Sequence, residues 1–478
     1  DMPSHITESR IHGGAYSSPE FAAIFSDANQ VQKWLDVETA LAATQAQMGL
    51  IPHEAAREIA RVASVELLDL DALGREGLET GHILVPTLRA LQGLCADGLG
   101  EYVHYGVTTQ DILDTGLILQ IRDAWGLVVQ RLRGIRGHLL TLALRHKHTP
   151  MVARTHGQHA LPTTFGYKVA VWVDEIDRHL ERFEEAYARV MVGNLTGAVG
   201  TLAGLGPQGL EVQRRTLESL GLSAPLSSWH SARDRILEAA WLLVQASATL
   251  GRVANEIYHL QRTEIDEVRE GRRAGQVGSS TMPHKQNPST VDLISALSRL
   301  VRAQMVALTD AAFQMHERDG TTWRIEWAAL PELFIYAGAL LARMEGLLQA
   351  GLQVREARMR SNLDLLGGLI LSERVMLALA PRCGKQTAHH LVHDIALQAQ
   401  DAGVCFRDAL LGDPRLRGCF SAQTLDDLLD PTAYTGLAAE MVDLVATKAR
   451  PRASGDGAEA VMATQGNTSQ SLYATEGM

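Results

Sequence analysis

The residues best suited to chemistry lie in one short segment, Gly-Ser-Ser-Thr-Met-Pro-His-Lys-Gln-Asn-Pro at positions 278–288. It interrupts two long stretches of helical periodicity. Lys285 and Asn287 could bind a carboxylate, and Ser279 and Ser280 would then face the substrate with backbone N–H groups nearby. A serine that acts as a base needs a strongly depressed pKa, which a cation or a helix terminus could supply on closure. The segment predicts a mobile active-site lid, and the alternative is an ordinary linker.

A second segment, Tyr-Val-His-Tyr-Gly-Val-Thr-Thr-Gln-Asp at 102–111, places two hydroxyls beside an amide. Thr108 and Thr109 could donate hydrogen bonds to a substrate carboxylate, and Gln110 follows them directly as a further binding candidate. The alternative is a helix N-cap built from threonine and Asp111, and both roles are compatible with each other.

Long runs of apolar residues at helical spacing must position these segments. The clearest runs are Leu113–Leu144, Phe165–Met191, Ile236–Val268 and Val291–Met315. They exceed the mean of roughly 11–12 residues for helices of globular proteins. A helix buried along such a length needs neighbours on several sides, which a bundle or an oligomer of bundles supplies. The pattern predicts an all-α fold.

The rest of the chain divides around this predicted bundle. Residues 1–105 predict a domain of shorter helices separated by glycine and proline, and residues 106–355 form the central long-helix domain. Residues 356–450 predict a second block of short helices. The final stretch, 451–478, lacks periodicity and is rich in small polar residues, which is typical of a flexible tail.

Composition excludes several classes of function. The chain has 44 Lys+Arg against 55 Asp+Glu, a formal net charge of −11, which argues against nucleic acid and anionic membranes as partners. No apolar run reaches the roughly 18 residues of a membrane span, and the first residues do not resemble a signal peptide. The four cysteines lie far apart without a Cys-x-x-Cys pair, so neither disulfides nor a zinc site are expected. These features predict a cytoplasmic protein.

The lid segment resembles the signature loop of the fumarase/aspartase superfamily, Gly-Ser-Ser-x-Met-Pro-x-Lys-x-Asn-Pro, at every fixed position. The resemblance implies that Ser280 abstracts the proton next to a carboxylate and that Lys285 and Asn287 bind the substrate. The segment around Thr109 is similar to the family's His-Tyr-Gly-x-Thr-Ser-x-Asp stretch. Threonine replaces serine there, which keeps the hydroxyl donor and adds a methyl group.

The stretch Arg-Thr-His-Gly-Gln-His-Ala-Leu-Pro-Thr-Thr-Phe-Gly at 154–166 resembles the adenylosuccinate lyase branch. This implies that His156 assists the leaving group as a general acid, because imidazole titrates near neutral pH. The alternative is a structural histidine at a helix start. His82, in Glu-Thr-Gly-His, is similar to a second acid of that branch, and the alternative is a buried or capping residue. Arg233 and Arg324 are further candidate carboxylate ligands or structural ion-pair partners.

Other segments are similar to 3-carboxy-cis,cis-muconate cycloisomerases, and the whole resemblance extends from about Phe25 to Val445. The segments are 229–235, 316–318, 323–327 and 358–364. Bacterial cycloisomerases of this kind usually have tryptophan at the position of His156, so this histidine favours elimination. Adenylosuccinate lyase itself is disfavoured, because the segment 229–235 departs from that enzyme's nucleotide-side pattern.

Together these resemblances imply a lyase that performs an anti β-elimination on a small substituted succinate and forms fumarate or a fumarate-like product. The leaving group would be an amine, a nitro group or a similar substituent. C–N elimination is the first expectation, and nitrosuccinate is one specific candidate substrate. An aci-carboxylate dianion would be stabilised as its charge develops. No metal or organic cofactor is required. The alternatives are a 3-carboxymuconate cycloisomerase and a non-catalytic relative of the lens-protein kind.

The motifs lie on different predicted helices, and one antiparallel bundle would not easily bring them together. The resemblance therefore implies a homotetramer with a central helical bundle and active sites shared between three subunits. A D2 arrangement is the ordinary symmetry for such an assembly. The expected partners are a small dicarboxylate substrate and further copies of the chain.

Overall fold

A computed structural model describes residues 5–271 and 281–448 of the chain. By their contacts these residues form two compact units. The first unit comprises the described residues up to His138 together with Glu175–Arg358, and the second comprises Leu139–Asp174 together with the described residues from Met359 onward. The division of the chain into 1–105, 106–355 and 356–450 stays a prediction, and the predicted tail at 451–478 lies outside the described residues.

Helices dominate the described residues, which confirms the all-α prediction. In chain order the α-helices are α1 Gly13–Tyr16, α2 Pro19–Ile24, α3 Asp27–Gln47, α4 His53–Val62, α5 Leu70–Thr80, α6 Val85–Leu94, α7 Thr109–Arg145, α8 Phe165–Val190, α9 Gly209–Ser219, α10 Asp234–Leu260, α11 Ser289–Ala311, α12 Gly320–Ala350, α13 Glu356–Leu363, α14 Ser372–Cys383, α15 Lys385–Ala402, α16 Phe406–Gly412, α17 Ala422–Leu428 and α18 Ala438–Lys448. The strands are β1 Pro150–Thr155, β2 Gln158–Thr164, β3 Val268–Glu270 and β4 Leu352–Val354. Short 3-10 helices cover Val65–Leu67, Leu99–Tyr102, Ala203–Gln208, Leu369–Leu371, Pro414–Leu416 and Pro431–Ala433.

The core of the first unit is built by the long helices α10, α11 and α12, which pack against one another. Each helix carries a continuous apolar face of buried side chains, for example Leu250 on α10, Leu297 on α11 and Leu333 on α12. Burying one such leucine stabilises the fold by about 1.5–3 kcal/mol. At its N-terminus α12 is capped by Asp319, whose side chain accepts a hydrogen bond from the Thr321 N–H.

Within the described part of the chain, one helix, α12, is long and apolar enough to cross a membrane by length and composition. In its most apolar window 61% of the residues are buried inside the protein. Leu330, Phe334 and Leu340 are among these buried side chains. The apolar composition of α12 is therefore accounted for by its place in the core of the first unit.

The second unit has its own core. Helices α14 and α15 pack against each other, and α16 packs against α15. Their buried apolar residues form one cluster that includes Val375, Leu379, Ile395 and Phe406. A smaller cluster joins Val152 of β1 to Leu371.

Two local features differ from the predicted helices. The run Ile236–Val268 is helical only to Leu260, and Val268–Glu270 instead pairs antiparallel with β4. The stretch that contains His156 is a β-hairpin, β1 to β2, and only after it does α8 begin at Phe165. Periodicity does not predict the hairpin because its strands are short. In addition, Pro162 suggests a helix start, whereas in the structure it pairs with Val152 in the hairpin.

Candidate functional site

The candidate site in the first unit is organised by the start of α7. The Thr108 N–H donates a hydrogen bond to Asp111 Oδ2 at 3.0 Å, and the Asp111 N–H donates to the Thr108 carbonyl at 3.0 Å. The Asp111 side chain thus supplies one half of the capping arrangement that the sequence offered as the alternative for the threonine pair, and the second bond joins two backbone groups. It fixes the backbone from which the Thr108 and Thr109 hydroxyls project, and both side chains are half-buried.

Asp111 is completely buried and accepts three further hydrogen bonds. Its carboxylate accepts from the N–H groups of Thr196 and Gly197, each at 2.9 Å, and from His230 Nε2 at 2.9 Å. A buried carboxylate is tolerated only when its oxygens are paired in this way. Asp111 therefore joins the start of α7 to two separate loops and holds the site together.

Gln110 is also fully buried and connects two groups. Its amide Nε2 donates to the His230 carbonyl at 2.9 Å, and its Oε1 accepts from Arg318 Nε at 2.8 Å. Arg318 in turn donates to the Ala198 carbonyl at 3.0 Å and lies 3.5 Å from Thr108 Oγ1. The predicted binding role of Gln110 stays a prediction, and the visible function of its amide is to orient Arg318.

Arg318 is a candidate that the sequence analysis missed. Its guanidinium is exposed beside the Thr108 hydroxyl, where a carboxylate could be bound. The sequence feature that could have indicated Arg318 is the segment 316–318, which was used only as evidence of similarity to the cycloisomerases. Arg318 and Thr108 are far apart in the sequence, and only the tertiary structure brings them together.

His82 lies against the first turn of the same helix. Its Nδ1 accepts a hydrogen bond from the Val85 N–H at 3.2 Å, and its Nε2 is 3.2 Å from Thr109 Oγ1. Because Nδ1 is an acceptor, the neutral ring carries its hydrogen on Nε2 and donates it to Thr109. Burial, helped by the positive charge of His104, lowers the pKa of His82. This geometry accords with the capping alternative for His82, at the N-terminus of α6.

A buried pair behind this group was also missed. His104 Nδ1 lies 2.6 Å from Glu38 Oε1, and the His104 N–H donates to Glu38 Oε2 at 3.0 Å. Burial lowers the pKa of His104, but the hydrogen bond and charge of Glu38, with the charge of Asp111, outweigh it and raise the pKa overall. Glu38 thus favours the charged imidazole of His104, whereas burial favours the neutral imidazole of His82.

Arg233 is held in a buried ion-pair network. Its guanidinium donates to both oxygens of Asp114, at 2.9 and 3.0 Å, and to both oxygens of Glu326, while the His230 carbonyl lies 3.5 Å away. These contacts use all five N–H donors of an arginine. No donor is left for a substrate, so the geometry accords with the structural ion pair that the sequence offered as the alternative.

The remaining candidates of the first unit lie at its surface. Lys285 and Asn287 are exposed in the segment that leads into α11, and Arg324 is exposed on α12. Glu270, at the end of β3, accepts hydrogen bonds from the first N–H groups of α11, at Thr290 and Val291. The carboxylate therefore joins the end of β3 to the start of α11. Two further candidates, Ser279 and Ser280, lie outside the described residues.

His156 belongs to the second unit and lies at the turn of the β1–β2 hairpin. Thr155 pairs with Gln158, so His156 and Gly157 form a two-residue turn. Both have positive φ, 51° and 77°, as the type I′ turn of a hairpin requires. The suggested alternative of a histidine at a helix start is therefore wrong, and the imidazole is exposed at the end of a hairpin.

Within residues 5–271 and 281–448, no group of three or more His, Cys, Asp and Glu side chains is arranged to hold a metal ion. The four cysteines, Cys95, Cys383, Cys405 and Cys419, are free thiols.

The chain is similar to known proteins over most of its length. A family described as "Lyase" matches residues 14–303, and one described as "Adenylosuccinate lyase C-terminus" matches residues 368–445. An N-acetyl-S-(2-succino)cysteine lyase of Dickeya dadantii is 44% identical over 93% of this chain and 97% of its own length. An adenylosuccinate lyase of Methanocaldococcus jannaschii is 40% identical over 90% of this chain and 94% of its own.

Solved structures give the same result. A fumarate lyase from Mesorhizobium sp. BNC1 has a TM-score of 0.85 and 39% identity, covering 90% of this chain and 98% of its own. A 3-carboxy-cis,cis-muconate lactonizing enzyme from Pseudomonas putida has a TM-score of 0.85 and 36% identity, covering 91% of this chain and 97% of its own. The chain is therefore an enzyme of the fumarase/aspartase superfamily of lyases, in the branch that holds the adenylosuccinate lyases and 3-carboxymuconate cycloisomerases.

Proposed function

We propose that this enzyme eliminates a thiol from a 2-succinyl thioether and forms fumarate. The observation that carries the succinate half is the group of donors at the start of α7, where Thr108, Thr109 and Arg318 lie together. Hydroxyl and guanidinium donors suit a carboxylate. The leaving group is inferred from the Dickeya dadantii relative, which is named for a succinylated cysteine. An amine is the second choice, since an adenylosuccinate lyase is 40% identical.

In the proposed reaction Ser280 removes the proton from the carbon that carries the second carboxylate. The electron pair moves into that carboxylate, which becomes an aci-carboxylate dianion. Lys285, Asn287 and the threonine hydroxyls stabilise the dianion more than the substrate, because their hydrogen bonds strengthen as charge develops. Collapse of the dianion forms the double bond of fumarate and expels the sulfur.

His156 assists the departing group in this proposal. A thiol has a pKa near 8.5, so it leaves as a thiolate far more easily than an amine leaves as its anion. The demand on a general acid is correspondingly smaller, and His156 would mainly orient the thioether. With an amine substrate the same imidazole would have to protonate the nitrogen.

We assign the other substrate carboxylate, which is attached to the carbon that bears the sulfur, to Arg318, with Arg324 as a further ligand. Arg318 is already oriented by Gln110 and the Ala198 carbonyl, so little side-chain entropy is lost when it binds. Arg233 takes no part, because its donors are used by Asp114 and Glu326.

We also propose a homotetramer with active sites shared between subunits. Large apolar side chains are exposed on the long helices and just after α11, among them Trp241 at 50%, Val306 at 75% and Phe313 at 82%. Exposed apolar groups of this size are typical of protein interfaces. The free cysteines support a reducing compartment such as the cytoplasm.

The test is proton NMR of the purified enzyme with a panel of substrates. The panel holds N-acetyl-S-(2-succino)cysteine, adenylosuccinate, aspartate, nitrosuccinate and 3-carboxymuconate. We expect fumarate and free thiol from the thioether, and loss of both with Ser280→Ala. Ser279→Ala is the matched control and should keep more activity. Formation of lactone from 3-carboxymuconate alone would show that the enzyme is a cycloisomerase. Formation of fumarate from a different succinate would show that the leaving group is not a thiol.

A further inference from the structure

Helix α3 sends two buried polar side chains to the loop that precedes α7. Glu38 is 2% exposed and Gln45 is fully buried. Glu38 accepts from both the backbone N–H and the ring of His104, at 3.0 and 2.6 Å, and Gln45 Nε2 donates to the Tyr105 carbonyl at 2.7 Å. Burying a carboxylate costs free energy unless its oxygens are paired. Both oxygens of Glu38 are paired with the same residue, His104.

The backbone of this loop shows the same constraint. His104 has a φ of 63°, a left-handed conformation that is uncommon for residues other than glycine. Gly106 has a φ of 79°, and a Cβ there would lie 2.5 Å from the Leu205 side chain. By bonding the ring and the N–H of one residue, Glu38 stabilises the turn. The turn immediately precedes α7, which begins at Thr109.

The charged groups around this loop determine the direction in which the Thr109 hydroxyl donates its hydrogen. His104 faces Glu38 from α3, Asp111 from α7, and His82 before α6. The Val85 N–H requires an unprotonated Nδ1 on His82, so a neutral His82 donates its Nε2 hydrogen to Thr109 Oγ1. The hydroxyl oxygen is then occupied as an acceptor. The Thr109 hydrogen is left to donate elsewhere, toward a substrate.

We propose that Glu38 is a positioning residue, which holds His104 as a cation and thereby keeps His82 neutral and the Thr109 hydroxyl directed as a donor to the substrate carboxylate. Glu38 itself touches no substrate in this proposal, and its effect passes through His104, His82 and Thr109. The inference rests on the proposed elimination reaction, because that reaction supplies the carboxylate.

The proposal has a consequence for pH. Burial first, and then the His104 cation, lower the pKa of His82 below its ordinary value. Activity needs neutral His82, so it is lost as the pH falls through that pKa. Without the charge of Glu38 the pKa of His104 falls and its cation is depopulated, so the pKa of His82 rises. The acid limb of the pH profile must therefore move toward higher pH.

The experiment compares the pH profiles of kcat for wild type, Glu38→Gln and Gln45→Met in the fumarate assay. Glu38→Gln keeps an acceptor for the His104 N–H and removes the charge. We expect its kcat at pH 5.5, relative to pH 8, to fall roughly threefold to tenfold further than in the wild type. Gln45→Met removes a loop hydrogen bond without changing charge, and should lower kcat evenly at all pH values.

A second variant guards against a misfolded Glu38→Gln protein. His104→Asn suits the positive φ and keeps a donor for Glu38, but it has no cation. We expect the same displacement of the acid limb, and NMR titration of the His82 ring should show its pKa raised in both variants. Acid limbs that coincide with the wild type would overturn the inference while the lyase stands. A wild type that forms no fumarate would instead overturn the proposed function, and this positioning role with it.

Discussion

At the start of α7 the candidate residues are held by backbone and side-chain groups from distant parts of the sequence. In the β1–β2 hairpin, by contrast, His156 is held by the local backbone of its own turn. Asp111 accepts hydrogen bonds from Thr196, Gly197 and His230, and none of these contacts is local. His156 instead depends on a two-residue turn whose conformation suits glycine and asparagine. The first region should therefore be sensitive to buried charge, and the second to backbone geometry.

The largest expected effect is on stability at the first region. Asp111→Ala removes a buried carboxylate and leaves four donors without an acceptor, at Thr108, Thr196, Gly197 and His230. We expect the free energy of unfolding to fall by about 3–5 kcal/mol. Urea denaturation followed by circular dichroism would measure it. Gln158→Ala in the exposed hairpin is the control and should change it by less than about 0.5 kcal/mol. Equal losses would contradict the comparison.

The next effect separates chemistry from backbone at the hairpin. His156→Asn keeps a residue that tolerates positive φ, so the melting temperature should stay close to that of the wild type. If His156 assists the leaving group, kcat should fall by about 10²–10⁴-fold with an amine substrate, and by less with a thioether. Unfolding of the variant, or full activity on both substrates, would refute this assignment.

A smaller effect is expected at the second turn residue. Gly157 has a φ of 77°, and beyond its two chain neighbours no atom lies within 4 Å of the place where a Cβ would be. Only the backbone conformation therefore opposes a side chain. Gly157→Ala should cost about 1–2 kcal/mol, and Gly157→Asn clearly less. Thermal denaturation of the pair would measure this difference. If alanine and asparagine cost the same, the turn does not require the left-handed conformation.

The smallest effect is a dependence of stability on pH at His104. The His104 pKa is raised in the folded protein, so its stabilising contribution is present below its unfolded value of about 6.5 and is lost as pH rises through the folded value. The destabilisation caused by His104→Asn should therefore be larger at pH 6 than at pH 9. Urea titrations at the two pH values would test this, and an equal loss at both would show that the pair is uncharged.

Much of the fold follows from periodicity. The apolar run Leu113–Leu144 lies within α7, and α8 begins at Phe165 as expected. The hairpin is missed because its alternation is short and interrupted by a bulge between Val152 and Arg154. The end of α10 at Leu260 is missed because apolar residues continue at helical spacing beyond it, as far as Val268 in β3.

The candidate site was predicted in parts. The sequence alone determined the superfamily and the helical class, and it named residues 108–110 as candidate donors, because motif order and apolar spacing are local properties of the chain. Only the tertiary structure decided what each donor does. In the folded chain Arg233 forms ion pairs with Asp114 and Glu326, and Arg318 lies beside Thr108. The partner of a buried charge is chosen by packing, and residues that are remote in the sequence become neighbours only when the chain is folded.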